Sequence, residues 1–171
     1  RGLHWLSTPH SETENWARMQ AVAPHMAQRV ATAGTNISDD NSLECGGFPY
    51  PILVTASDQD PALVENMASA ITQQFDNFSS AEPSASGWAA DRQNFQWVLP
   101  YHQGAVAFWK SQGMWSDAAD AHNAYLVERQ AVIAAAWDAL EDKSADGFKE
   151  RWMLARFNAL TAADMPAVWE K

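Results

Sequence analysis

The chain has 171 residues, 47% of them hydrophobic, enough to bury a sizeable core and too apolar for global disorder. Eleven basic residues face 21 acidic ones, a net charge of −10 at pH 7, which repels phosphate backbones and anionic lipid and argues against nucleic acid as a partner and against membrane adsorption. A single cysteine rules out an intramolecular disulfide, and no apolar run reaches the ~20 residues that a direct membrane insertion needs.

The chain opens at Arg1 without an initiator Met or a signal peptide, so a fragment or processed form is expected. Gly2 to Ser7 alternates, with Leu3 and Trp5 on one side, and reads as an interior strand ended by Ser7-Thr8-Pro9. Ser11 stands three residues before Glu14, a capping-box spacing that predicts a helix carrying Trp16 and Met19. Pro24 should break it. Gln28 to Ala33 is a candidate short strand, and the Gly-, Asn-, Ser- and Asp-rich stretch from Gly34 to Pro49 reads as a long loop. Pro51 to Ala56 is continuously apolar and β-branched, the pattern of a strand buried on both faces.

The next element is the most sharply marked. Asp60 caps it, Pro61 takes the first helical position, and Leu63, Val64, Met67, Ile71, Phe75 and Phe78 form one stripe. A polar linker over 79–87 and a short helix over 88–97 should follow. A helix is predicted from about His102 to Gln112, stopped by Gly113. Ser116-Asp117 starts a long helix reaching about Leu140, and a last helix spans about Lys149 to Leu160. Mixed strand and helix thus precede helices alone, an α/β segment over 1–78 and a helical segment over 79–171.

The stretch from Trp97 to Lys110, with Pro100-Tyr101-His102-Gln103-Gly104-Ala105, resembles a signature of the TAXI family of periplasmic solute-binding receptors, the substrate-catching subunits of TRAP transporters. In that family a Pro-aromatic-His-Pro-Gly-Ala segment opens a helix that ends in an aromatic pair and a Lys-x-x-Gly turn, here Lys110-Ser111-Gln112-Gly113. Ala121-His122-Asn123 and Glu128-Arg129-Gln130 resemble later pieces. Ala31 to Thr35 is similar to the family's Ala-Gly-Thr-Tyr loop, and Tyr50 to Val54 to the strand after it. The ordered set covers about Gly2 to Leu140. Gln103 replaces the usual Pro, and Asn36 stands where Tyr commonly follows Gly-Thr.

The resemblance implies the C-terminal portion of a two-lobed, type II periplasmic binding protein of the α/β class, helix-rich towards its C-terminus. It implies hinge closure on a small solute, such as glutamate or another organic acid, and delivery to membrane permease subunits. It implies no catalytic residue, no metal and no cofactor. In the cleft-lining loop from Gly34 to Tyr50, the ligand-binding candidates are Gly34, Thr35, Phe48 and Tyr50. Gly46-Gly47 permits close backbone approach, and the two aromatics supply apolar walls.

Other readings compete residue by residue. His102 can be a ligand group, but at a helix entrance it more simply satisfies exposed N–H groups. Cys45 beside two glycines suits a thiol nucleophile, yet no base is identifiable, and a half-buried structural cysteine is the simpler account. Asp39-Asp40 reads as a solvated turn rather than a cation site. Nine Trp residues could form a sugar-stacking platform, although Trp109 and Trp137 sit on helical stripes and read as core. A thiol- or His-dependent enzyme and an aromatic carbohydrate-binding module therefore remain the alternatives.

Overall fold

A computed structural model describes residues 3–167. It is mixed α/β, about half helical, with one small two-stranded sheet among the described residues. The chain divides into two compact units, Arg1–Pro49 and Tyr50–Lys171. The division falls between Pro49 and Tyr50, ahead of the boundary expected at Phe78.

The first unit holds α1 (Thr13–Val22) and a hairpin of β1 (Ala27–Ala31) and β2 (Leu43–Gly47). The strands are antiparallel, with Ala27 opposite Gly47 and Ala31 opposite Leu43. Trp16 of α1 is 5% exposed and donates its indole N–H to the Pro9 carbonyl at 3.0 Å, so its polar edge is satisfied while the ring is buried. The helix ends before Pro24, as expected. No capping box forms: Glu12 occupies the N-cap and its side chain caps nothing.

Two further expectations fail in this unit. Leu3 to Thr8 forms no strand, and Leu3 and Leu6 are largely exposed; Gly2 lies outside the described residues. The segment instead follows the hairpin through scattered bonds, Thr8 N–H to the Glu44 carbonyl at 2.9 Å and Trp5 Nε1 to the Thr35 carbonyl at 2.7 Å. The supposed loop from Gly34 to Pro49 contains strand β2. Its glycines suppressed the strand signal, and one of them sits against tightly packed side chains. A Cβ on Gly46 would lie 2.9 Å from Met26 Cε and 3.5 Å from the Trp16 ring, so a bare backbone lets both seat on the hairpin.

The second unit contains α2 (Pro61–Gln73), α3 (Phe75–Phe78), α4 (Gln103–Ser111), α5 (Asp117–Asp138) and α6 (Phe148–Ala162). The starts of α2 and α5 and the stop of α4 follow the signals in their sequence. Asp60 Oδ1 accepts from Ala62 N–H at 2.9 Å behind Pro61, and Ser116 Oγ accepts from Ala119 N–H at 3.2 Å. Gly113 closes α4 at φ +68°. Phe108 and Trp109 of α4 are buried, as is Leu126 of α5. Leu160 of α6 is fully buried, a burial worth roughly 2 kcal/mol.

Residues 79–97 depart from expectation. Short 3-10 turns at Pro83–Trp88 and Ala90–Arg92 replace both the linker and the helix. Pro51 to Ala56 forms no strand and is not buried: Ile52, Leu53 and Val54 are 42%, 59% and 71% exposed. Among the described residues no strand pairs with it. Leu63 and Met67 of the α2 stripe are likewise about half exposed.

Candidate functional site

At the hairpin tip, Gly34 and Thr35 lie in a turn closed by Ile37 N–H to the Gly34 carbonyl at 3.1 Å. Asn36 takes the left-handed conformation there, φ +62°, which Asn tolerates and Tyr resists. A second turn joins Ser38 to Asn41, and Asn41 Nδ2 donates to the Asn36 carbonyl at 2.6 Å. Asp39 and Asp40 are exposed on that turn. Phe48, 54% exposed, follows the other end of the ladder. The ladder alone separates the two ends by about 14 Å. Gly34 and Thr35 are therefore not brought together with Phe48 within the first unit. Tyr50, 65% exposed, opens the second unit.

Cys45 is half-buried in β2, opposite Arg29. The nearest imidazole is committed to the backbone: His10 Nε2 lies 3.1 Å from the Arg29 carbonyl and 3.4 Å from the Cys45 carbonyl. Contact with two acceptors makes Nε2 the protonated nitrogen, and Nδ1 then faces the Glu44 carboxylate at 3.7 Å. Among the described residues no group of three or more His, Cys, Asp or Glu could hold a metal.

The signature stretch folds into a corner held by polar clamps. His102 is the N-cap of α4, its Nδ1 accepting from Gly104 N–H at 3.1 Å. The neutral ring consequently carries its proton on Nε2, a buried atom without a hydrogen-bond partner. Asn123 of α5 grips the preceding backbone twice, its Oδ1 accepting from Tyr101 N–H at 2.7 Å and its Nδ2 donating to the Tyr101 carbonyl at 3.3 Å. His122 Nε2 lies 2.6 Å from the Trp97 carbonyl.

Around Tyr101, the ring of Trp115 packs edge-on at 5.3 Å and that of Phe95 lies tilted at 5.6 Å, and Phe95 reaches Trp115 and Trp109 edge-on at 5.3 Å. Burial in this cluster pushes the Tyr101 phenol up to about 12. Lys110 Nζ meets Asp120 at 2.7 Å, and Trp115 Nε1 donates to the same carboxylate at 2.8 Å. The Lys110 ammonium and the Trp115 indole hold the Asp120 carboxyl below its usual range. Sequence reasoning missed the roles of Asn123 and Asp120; an Asn inside the helix, nearly two turns from its start, was the available signal for a backbone clamp.

A groove of about 500 Å³ opens where α5 and α6 meet, floored by Ala136, Leu140, Ala155 and Ala159. Arg151 at its edge is already engaged, paired with Asp142 at 3.3 Å and donating to the Ser144 carbonyl at 2.8 Å. The same guanidinium and two hydrogen bonds from Ser144 hold the Asp142 carboxyl low, the hydrogen bonds contributing most. Arg151 organises the α5–α6 connection and leaves little charge to fix an anion. Trp137, 40% exposed, has Trp152 and Phe148 in T-shaped contact and Lys143 Nζ 5.3 Å from its ring centre.

No family model, no characterised protein and no solved structure matches the chain.

Proposed function

We propose that the chain is the C-terminal portion of a TAXI-type solute-binding receptor that captures a small carboxylate for TRAP permease subunits in the periplasm. The ordered set of segments from Ala31-Thr32-Ala33-Gly34-Thr35 to Glu128-Arg129-Gln130 carries this reading. It is supported by the jobs the signature residues do. His102 starts α4, Gly104 admits α2, and the pair His122-Asn123 fixes the approach to α4. Residues tied to backbone geometry in this way define a fold, which is what a receptor signature should do.

The candidates for solute contact are Gly34 and Thr35 at the hairpin tip, Phe48 past the other end of the ladder and Tyr50 in the second unit, each of them exposed. Free backbone N–H groups can hold an anion despite the acidic composition. No described helix is long and apolar enough to cross a membrane.

Native mass spectrometry of the protein isolated from its own cells tests the reading. A small organic acid should travel with it, and cells lacking the protein should lose uptake of that acid. Full uptake in the deleted strain would sink the proposal. The thiol-enzyme alternative predicts that Cys45→Ser abolishes function; the receptor tolerates it.

A further inference from the structure

Three consecutive carbonyls at the tip of the hairpin each have a donor. Ile37 N–H reaches the Gly34 carbonyl at 3.1 Å, Trp5 Nε1 the Thr35 carbonyl at 2.7 Å and Asn41 Nδ2 the Asn36 carbonyl at 2.6 Å. The N–H groups of Thr35 and Asn36 donate to nothing among the described residues, and both residues are exposed. With a positive φ at Asn36 and none at Thr35, the turn from Gly34 to Ile37 is of type II. Its rival is type I, in which the peptide between Thr35 and Asn36 is turned over and Asn36 returns to negative φ. Asn tolerates the left-handed region without preferring it, so an outside contact decides which way that peptide faces. Trp5 supplies that contact. A carbonyl and the N–H that follows it point opposite ways across a planar trans peptide. The Asn36 N–H therefore faces away from the indole, and the Thr35 N–H faces out of the turn.

We propose that Trp5 is a positioning residue of the solute site: by holding the Thr35 carbonyl it fixes the turn so that two adjacent N–H groups receive a carboxylate of the solute. Successive backbone N–H groups in a turn form such an anion cradle. This role rests on the receptor reading above and adds to it a side chain that touches no solute itself. Trp5, Thr35, Asn36 and Asn41 all belong to the first unit. Asp39 and Asp40 lie exposed on the following turn and oppose a bare anion, so an amino acid, with an ammonium group beside its carboxylate, is the fitting probe.

Nuclear magnetic resonance of the isotope-labelled chain tests the role, with L-glutamate titrated against sodium chloride of equal ionic strength. The Thr35 and Asn36 amide resonances should shift saturably, and that of Ile37, already bonded, should shift less. Trp5→Phe keeps a ring and loses the donor. It should weaken glutamate about fivefold, while the Thr35 Hα to Asn36 N–H cross-peak of a type II turn fades. Adding Asn36→Gly to Trp5→Phe should restore both, because glycine takes the positive φ unaided. Glutamate that shifts neither amide, Trp5→Phe that binds as the parent does, or a double variant no better than Trp5→Phe would each overturn the role. Cells carrying Trp5→Phe with parental uptake would remove it as well and leave the receptor reading standing. Failure of the receptor reading shows instead as full uptake in the deleted strain.

Discussion

Replacing Gly104 by Ala tests the helix crossing on which the signature segment depends. An added Cβ would lie 2.2 Å from the Pro61 carbonyl oxygen and 3.0 Å from both the Pro61 carbonyl carbon and the Glu65 nitrogen. All three obstacles are backbone of the first turn of α2, so no side chain can rotate away. Relief requires α4 to move off α2 by about 1 Å, against packing at native density. Overpacking of this kind costs about 1–3 kcal/mol. The better helix propensity of Ala returns at most ~1 kcal/mol, and less at the second position of a helix. The net expectation is a loss of about 1–2 kcal/mol. Urea unfolding followed by circular dichroism should show a lower midpoint with an unchanged slope. A variant as stable as the parent would refute the close crossing of α2 and α4.

Three further outcomes follow from the same corner. His102→Ala should cost about 1 kcal/mol of cap energy and His102→Asn much less, measured by urea midpoint; equal losses would remove the capping role. Asn123→Leu leaves the Tyr101 N–H without its acceptor and should destabilise by about 1–3 kcal/mol, with faster amide exchange at Tyr101. The raised Tyr101 value means that the folded chain keeps a proton the unfolded chain releases near pH 10. That contribution is complete below pH ~10 and drains as pH rises towards ~12, on the order of 2–3 kcal/mol. Tyr101→Phe should lack this part of the alkaline loss; identical pH dependence in the two proteins would exclude it.

The long helices were legible because their signals are local. Asp60-Pro61, Ser116-Asp117 and Gly113 act within one turn, so the residues that announce each boundary also make it. Strands are set by partners remote in sequence, and there local pattern misled in both directions. Leu43–Gly47 has two glycines and reads as loop, yet it pairs with Ala27–Ala31 because small residues admit Trp16 and Met26. Ile52 to Val54 has the best strand composition and forms none, since composition states only that a segment suits a sheet. The half-exposed Leu63 and Met67 show the same gap between an apolar stripe and a surface available to cover it.

The candidate site was legible in proportion to how much backbone geometry it involved. His102, Gly104 and His122 stood out in the sequence, and their structural roles are a cap, a close approach and a carbonyl contact. Residues so constrained make a segment recognisable, and the same constraint occupies the groups a ligand would need. Under the proposed function, solute contact would fall to side chains with unspent capacity, and Phe48 and Tyr50 are largely exposed. A resemblance carried by Trp97 to Asn123 therefore rests on residues that hold the backbone of this corner.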